Sequence, residues 1–140
     1  MDVTMLLCDA AEAANGKLYV LGGGWSQLAA PNTPVNMALA VMVGVPWNRT
    51  NEKHSLRTRL VTEDGEPVEI DGNPIMLEAG FEVGRPPGLV AGTTLNWPMV
   101  FNVGGLVLDK GGYVWELYVD GERMAQTPFR VFDPQQPFGG

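Results

Sequence analysis

The sequence predicts an all-β fold, an antiparallel β-sandwich of about eight or nine strands, and three observations carry that prediction. Apolar residues recur mainly with a period of two. Short apolar runs are separated by Asn-Gly and Asp-Gly pairs. The chain holds 18 Gly and 11 Pro among its 140 residues, which leaves no room for crossover helices. The length suits one domain, expected over residues 1–132, followed by a Pro/Gly-rich tail over 133–140. Hydrophobic residues at 45% supply a core, and charged residues at 18% are too few for a disordered acidic chain.

The elements follow in order. Val3 to Ala11 is apolar on both faces, Asn15-Gly16 supplies the backbone angles of a tight turn, and Leu18 to Leu21 resumes the pattern, which describes a hairpin. Ala10 to Ala14, with Glu12, also has the propensity for a turn of helix, a competing reading. Val35, Met37, Leu39, Val41, Val43 and Val45 share one face and Ala38, Ala40, Met42 and Gly44 the other, so this strand should lie centrally and be covered on both sides. Leu56, Thr58 and Leu60 alternate with Arg57, Arg59 and Val61, a strand with one wet face. After Asp64-Gly65, Val68 to Ile70 forms a short strand. Asp71-Gly72 turns the chain, and Ile75, Leu77, Ala79, Phe81 and Val83 line the next inward face. A loop over 84–92 precedes Leu95, Trp97, Met99, Phe101 and Val103, where Pro98 predicts an edge strand or a bulge. Tyr113, Trp115, Leu117 and Val119 form another inward face, Asp120-Gly121 turns, and Met124 to Phe132 returns.

Asp109-Lys110-Gly111-Gly112-Tyr113-Val114-Trp115 resembles the D-x-G-x-Y-x-C stretch of immunoglobulin domains, with Trp115 where the cysteine would stand. The resemblance covers roughly residues 94–132 and implies an immunoglobulin-like sandwich. It also implies that the tyrosine hydroxyl bonds backward to the main chain and that Trp115 packs between the sheets. Over most of the chain, Leu7-Cys8-Asp9-Ala10-Ala11, Gly16-Lys17-Leu18-Tyr19, Gly22-Gly23-Gly24-Trp25 and Phe81 through Gly88 are similar to a family of small actinobacterial proteins of unknown function. That likeness implies a cytoplasmic, single-domain sandwich and supplies no activity.

Composition narrows the function classes. A formal charge of -7 and a pI near 4.5 oppose the phosphate neutralisation that nucleic-acid binding requires, so no nucleic-acid partner is expected. One cysteine forms no internal disulfide and one histidine makes no His-rich metal site, and no cofactor motif stands out. Asp9 interrupts the N-terminal apolar run, which lacks the basic flank of a signal peptide, and no run reaches the roughly 18–20 residues that cross a bilayer. A cytoplasmic protein with no membrane contact is the expectation.

Gly22-Gly23-Gly24 follows an apolar strand as a phosphate loop would, but no Lys-Ser/Thr pair comes after it, so a bulge beside Trp25 is the better reading. Cys8, among Leu6, Leu7 and Ala10, reads as a buried small hydrophobe. His54 lies in the richest polar loop, with Trp47, Asn48 and Asn51 just before it. With no evident second partner, it suits a histidine that bonds its own loop better than a general base. Glu82 and Arg85 are candidates to anchor a loop or ligand, and Trp25 and Trp47 beside loops suit stacking on a sugar or partner. Arg85 and Leu89 in the rigid 84–90 loop, and Phe138 in the tail, combine features enriched at interfaces. The expectation is a non-enzymatic binding or assembly module that makes protein contacts, self-associates, or serves as a subunit or decoration of a larger particle. The alternative is a small-ligand or carbohydrate-binding sandwich using Trp25, Trp47 and His54.

Overall fold

The computed structural model describes residues 1–135, which places the Phe138 candidate outside the described residues. Its elements are β1 (Asp2–Ala14), β2 (Lys17–Gly23), β3 (Gln27–Leu28), β4 (Val35–Val45), a 3-10 turn (Trp47–Arg49), β5 (Lys53–Thr62), β6 (Glu69–Ile70), β7 (Asn73–Pro74), β8 (Met76–Glu82), β9 (Leu95–Leu106), β10 (Gly111–Val119) and β11 (Glu122–Val131). They form two layers, β2-β1-β4-β9 and β3-β11-β10-β5-β8, with β6-β7 as a separate ribbon. The fold is an all-β sandwich.

Three turns do the local work. Asn15-Gly16, Asp71-Gly72 and Asp120-Gly121 each place both residues at positive φ, the geometry that joins two antiparallel strands in two residues. Asn15-Gly16 also decides against a helical Ala10–Ala14: the turn sets Ala14 opposite Lys17 and Ala10 opposite Leu21, so pairing overrides propensity. Pro98 falls on β9, which ends its sheet as the missing donor requires. The expectation of a wholly antiparallel fold is corrected at one pair: β3 runs parallel to β11, with Gln27 opposite Arg130. The chain leaves the first layer at Gly24, whose N–H bonds the Leu7 carbonyl at 2.7 Å, and the two residues that reach the second layer run in the direction of β11.

The core lies between the layers. Leu7, Met37, Leu39, Val41, Val43, Val45 and Phe101 from the first sheet meet Leu56, Leu60, Phe81, Tyr113, Trp115, Leu117, Phe129 and Val131 from the second. Trp115 is fully buried, and the Tyr113 hydroxyl donates to the Asp109 carbonyl at 2.7 Å, the backward bond that the corner resemblance implied. The alternate face of β4 is covered too. Cys8, Ala38 and Ala40 form a second buried cluster on which Ala11 and Leu18 pack. Residues 2–8 of β1 pair with β4, but beyond Cys8 the strand pairs only with β2, and this distal hairpin arm bends over the outer face. β2 thus approaches β4 and β9 although β1 stands between them in the sheet. Small residues at 8, 38 and 40 permit that close approach.

Candidate functional site

The predicted site residues divide between separate regions. Trp47, Asn51, His54, Glu82 and Arg85 gather at one end of the sandwich, where β5 begins, β8 finishes and the β10–β11 turn closes. Trp25 lies toward the other end, edge-on to Phe129 with ring centroids 5.8 Å apart. Phe129 stacks in turn on Tyr113 at the start of β10. The Trp25 ring is half-buried against the core, and its indole nitrogen is buried with no partner among the described residues. Leu89 is exposed in the loop that follows Arg85.

At the gathered end, the 3-10 turn and the residues after it are tied down from two sides. The Thr50 hydroxyl donates to the Trp47 carbonyl at 2.7 Å and accepts from Arg85 Nε at 2.6 Å, while the Arg85 guanidinium lies 4.2 Å from the Trp47 ring centroid. One face of Trp47 is therefore occupied by a cation. Asn51 adopts a left-handed φ of 60°, and its N–H donates to the Val83 carbonyl at 2.8 Å. Glu82 is exposed and stands opposite Lys53 across the β5–β8 ladder. Glu82 and Arg85 thus differ: Arg85 anchors a loop, whereas Glu82 faces solvent.

His54 is buried beneath this loop, beside Phe81, which stacks on Trp97 at 4.2 Å. Its Nδ1 lies 2.7 Å from Asp120 Oδ2 and its Nε2 lies 2.8 Å from the Arg49 carbonyl. A carbonyl only accepts, so Nε2 carries a hydrogen, and the other nitrogen faces the carboxylate. Neither nitrogen is left open to a substrate in this arrangement. Burial disfavours a charged Asp120, but the Ser55 N–H, His54 and the Arg49 charge outweigh it and hold the carboxyl below the usual aspartate range. The result is a pin joining the loop after β4 to the β10–β11 turn.

A second polar cluster escaped sequence reasoning. Glu116 points to the outer face of the second sheet, nearly buried, and accepts from Arg59 Nε at 2.8 Å, Arg123 Nη1 at 3.2 Å and the Tyr118 hydroxyl at 3.1 Å. Burial opposes its ionisation, yet these bonds outweigh burial and lower its pKa. Alternation put Glu116 outward. Its partnership with Arg59 required the β5–β10 register, in which the two stand opposite. Nearby, Arg57 and Glu78 form a cross-strand ion pair at 3.0 Å. An open groove of about 790 Å³ lies beside this cluster, lined by Arg57, Arg59, Met76, Glu78, Gly80 and Tyr118 among others.

The arm is the other feature that sequence reasoning passed over. Tyr19 and Leu21 on β2 are 52% and 72% exposed, and Leu6 and Val20 are exposed beside them. The signal available was the uninterrupted run Leu18-Tyr19-Val20-Leu21, apolar on both faces of a strand that ends its sheet.

Fold and surface together define a small two-layer β-sandwich with a pinned loop end and an apolar hairpin arm. A family model matches residues 3–132, and the chain belongs to DUF6941, a family of unknown function. A search of curated proteins gives no match. Among the described residues no helix is long and apolar enough to cross a membrane.

Proposed function

We propose that this protein is a non-enzymatic module that makes protein–protein contacts through the β1–β2 arm. One observation carries the reading: β2 ends its sheet and exposes Tyr19 at 52% and Leu21 at 72%, whereas the other long edge strands are blunted. β9 contains Pro98, and β8 presents Glu78 and Glu82. A bare apolar edge beside an exposed aromatic is a contact surface in waiting. The test is a photo-crosslinking amino acid placed at Leu21 in the native host, with Asp64 as control. Protein adducts at 21 and none at 64 support the reading, and no adduct at 21 overturns it.

Within this reading the domain is immunoglobulin-like. The neighbours β1-β4-β9 and β11-β10-β5 match the A-B-E and G-F-C orders of that fold, and Tyr113 at the start of β10 makes the corner bond. A cytoplasmic setting accords with the free, buried Cys8. A second reading, binding of a small ligand or carbohydrate, is favoured by the groove beside Tyr118, where a phenol ring adjoins planar charged groups. A glycan panel that shifts the melting of wild type but not of Tyr118→Ala supports it.

A further inference from the structure

We infer that His54 is a two-proton latch: only its doubly protonated ring holds the 3-10 turn and the β10–β11 turn together, so loss of one proton to solvent opens the loop end of the sandwich. The count of hydrogens decides it. Nδ1 lies 2.7 Å from Asp120 Oδ2 and Nε2 lies 2.8 Å from the Arg49 carbonyl, both direct hydrogen-bond distances. Each partner presents lone pairs, since neither a carbonyl nor an ionised carboxylate has a hydrogen to give. A neutral imidazole owns one N–H and an imidazolium owns two. The two contacts therefore form together in the charged ring.

Protonating Asp120 instead would supply the second hydrogen, but the surroundings oppose it. Its Oδ1 accepts from the Ser55 N–H at 2.9 Å, and its Oδ2 lies 3.4 Å from Arg49 Nη2. Burial works against the charge on this carboxyl, yet the donors outweigh burial and hold it below the usual aspartate range. The hydrogen belongs on the ring.

Local charge points the same way. Facing the ring are Asp120 from the β10–β11 turn, Glu52, whose Oε2 lies 3.9 Å from Nε2, and Arg49, which bonds Glu52 at 2.9 Å and reaches Asp120. From β8 the neighbour is Phe81, which does not titrate, while Lys53 and Glu82 alternate to the opposite face of the ladder. Arg49 and a charged His54 balance Asp120 and Glu52, two against two. A neutral ring leaves one acid in excess around a side chain that is 1% exposed.

Opening has a direction. A neutral ring turns one lone pair on an acceptor, and the charge-assisted bond to the carboxylate is the stronger of the two contacts. The remaining hydrogen therefore stays on Nδ1, and the Arg49 carbonyl is released. Asp120 remains tied to β5 through Ser55, and the residues after the 3-10 turn keep their tie to Arg85. The latch is closed while Asp120 is ionised and His54 is charged. It is lost on the acid side as pH falls through the lowered Asp120 value, and on the alkaline side as the ring gives up its second proton.

Nitrogen NMR on the labelled full chain tests the inference, and the chain's one histidine makes the ring signals unambiguous. At about pH 5.5 both ring nitrogens are expected to carry a hydrogen and the imidazolium signature. Raising the pH is expected to leave one hydrogen, on Nδ1. At the same midpoint, amide exchange of Arg49 and Thr50, corrected for its intrinsic pH dependence, should quicken by about tenfold or more, with Trp115 in β10 unchanged. Asp120→Asn keeps the shape and removes the charge, so the second proton should leave at lower pH than in wild type. A single ring hydrogen at about pH 5.5, both hydrogens kept until the chain unfolds, a remaining hydrogen on Nε2, deprotonation with no change in exchange at 49 and 50, or a midpoint unmoved by Asp120→Asn each overturns the inference. Where Asp120→Asn does not fold, the coincidence of the two wild-type midpoints decides alone.

Discussion

Trp115 offers the sharpest measure of how the sandwich is held together. Its ring is fully buried between the layers, and its indole nitrogen has no hydrogen-bond partner among the described residues. Truncation to alanine forfeits most of the roughly 150–250 Å² that a large aromatic buries. At about 25 cal/mol per Å² this is roughly 4–5 kcal/mol before any cavity cost. Removing an orphaned N–H returns about 1–3 kcal/mol and the cavity left behind costs about 2 kcal/mol, so the two roughly cancel and the expected net loss for Trp115→Ala is about 3–5 kcal/mol. Trp115→Phe keeps a ring in the slot, forfeits about 1–2 kcal/mol of apolar burial and regains the orphan's penalty, and should therefore lie within about 1 kcal/mol of wild type. Urea unfolding with an unchanged slope reads both changes as shifts in midpoint. A phenylalanine variant as weak as the alanine variant would show that the indole N–H is bonded and refute this accounting. An alanine variant equal to wild type would refute the burial itself.

The remaining expectations concern the pins and the corner. Asp120 and Glu116 both titrate below their ordinary values, so each adds stability that is complete above the unfolded-state pKa near 4 and is lost as pH falls through the lower folded value. Asp120→Asn should therefore flatten the acid limb of a melting-temperature profile while lowering its neutral plateau; an unchanged acid limb counts against the His54–Asp120 pin. Arg85→Ala should speed amide exchange of Thr50 and Asn51 while leaving β10 unchanged, and unaltered exchange at 50 and 51 would show that Arg85 does not hold the loop. Tyr113→Phe removes one bond to the Asp109 carbonyl and should cost about 1 kcal/mol in chemical denaturation; no loss would mean the corner bond is idle.

Much of this architecture was legible because it is locally encoded. Alternation put Leu39, Val41 and Val43 on one face and Ala38 and Ala40 on the other, and paired positive-φ turns placed the hairpins at Asn15, Asp71 and Asp120. The prediction that β4 is covered on both sides held, although the cover is the chain's own arm, which no period-two pattern announces. The loop end was half legible. Trp47, Asn51 and His54 are close in sequence, but Asp120, 66 residues from His54, and Arg85, 35 from Thr50, reach them only through the β5–β10 and β5–β8 ladders. Trp25 was grouped with Trp47 because both flank strands, and only the topology separates them.

If the proposed contact reading is right, order and contact fall to different parts of the molecule, and the sequence choices at each accord with that division. At the loop end, each polar side chain of the pin meets another: His54 meets Asp120 and the Arg49 carbonyl, Arg85 meets Thr50, and the Trp47 face meets Arg85. Such satisfied groups rigidify a surface and leave little bonding capacity for a partner. On the arm the reverse holds. Cys8, Ala38 and Ala40 are small enough to seat Leu18 and Ala11, which anchors the hairpin by one face. The opposite face keeps Tyr19 and Leu21 in solvent. A sandwich can blunt an edge with a proline or with acids, and this one does both elsewhere, at Pro98 and at Glu78 and Glu82. That β2 carries neither device, on the strand with the most exposed apolar side chains, is what favours the proposed contact role of the arm.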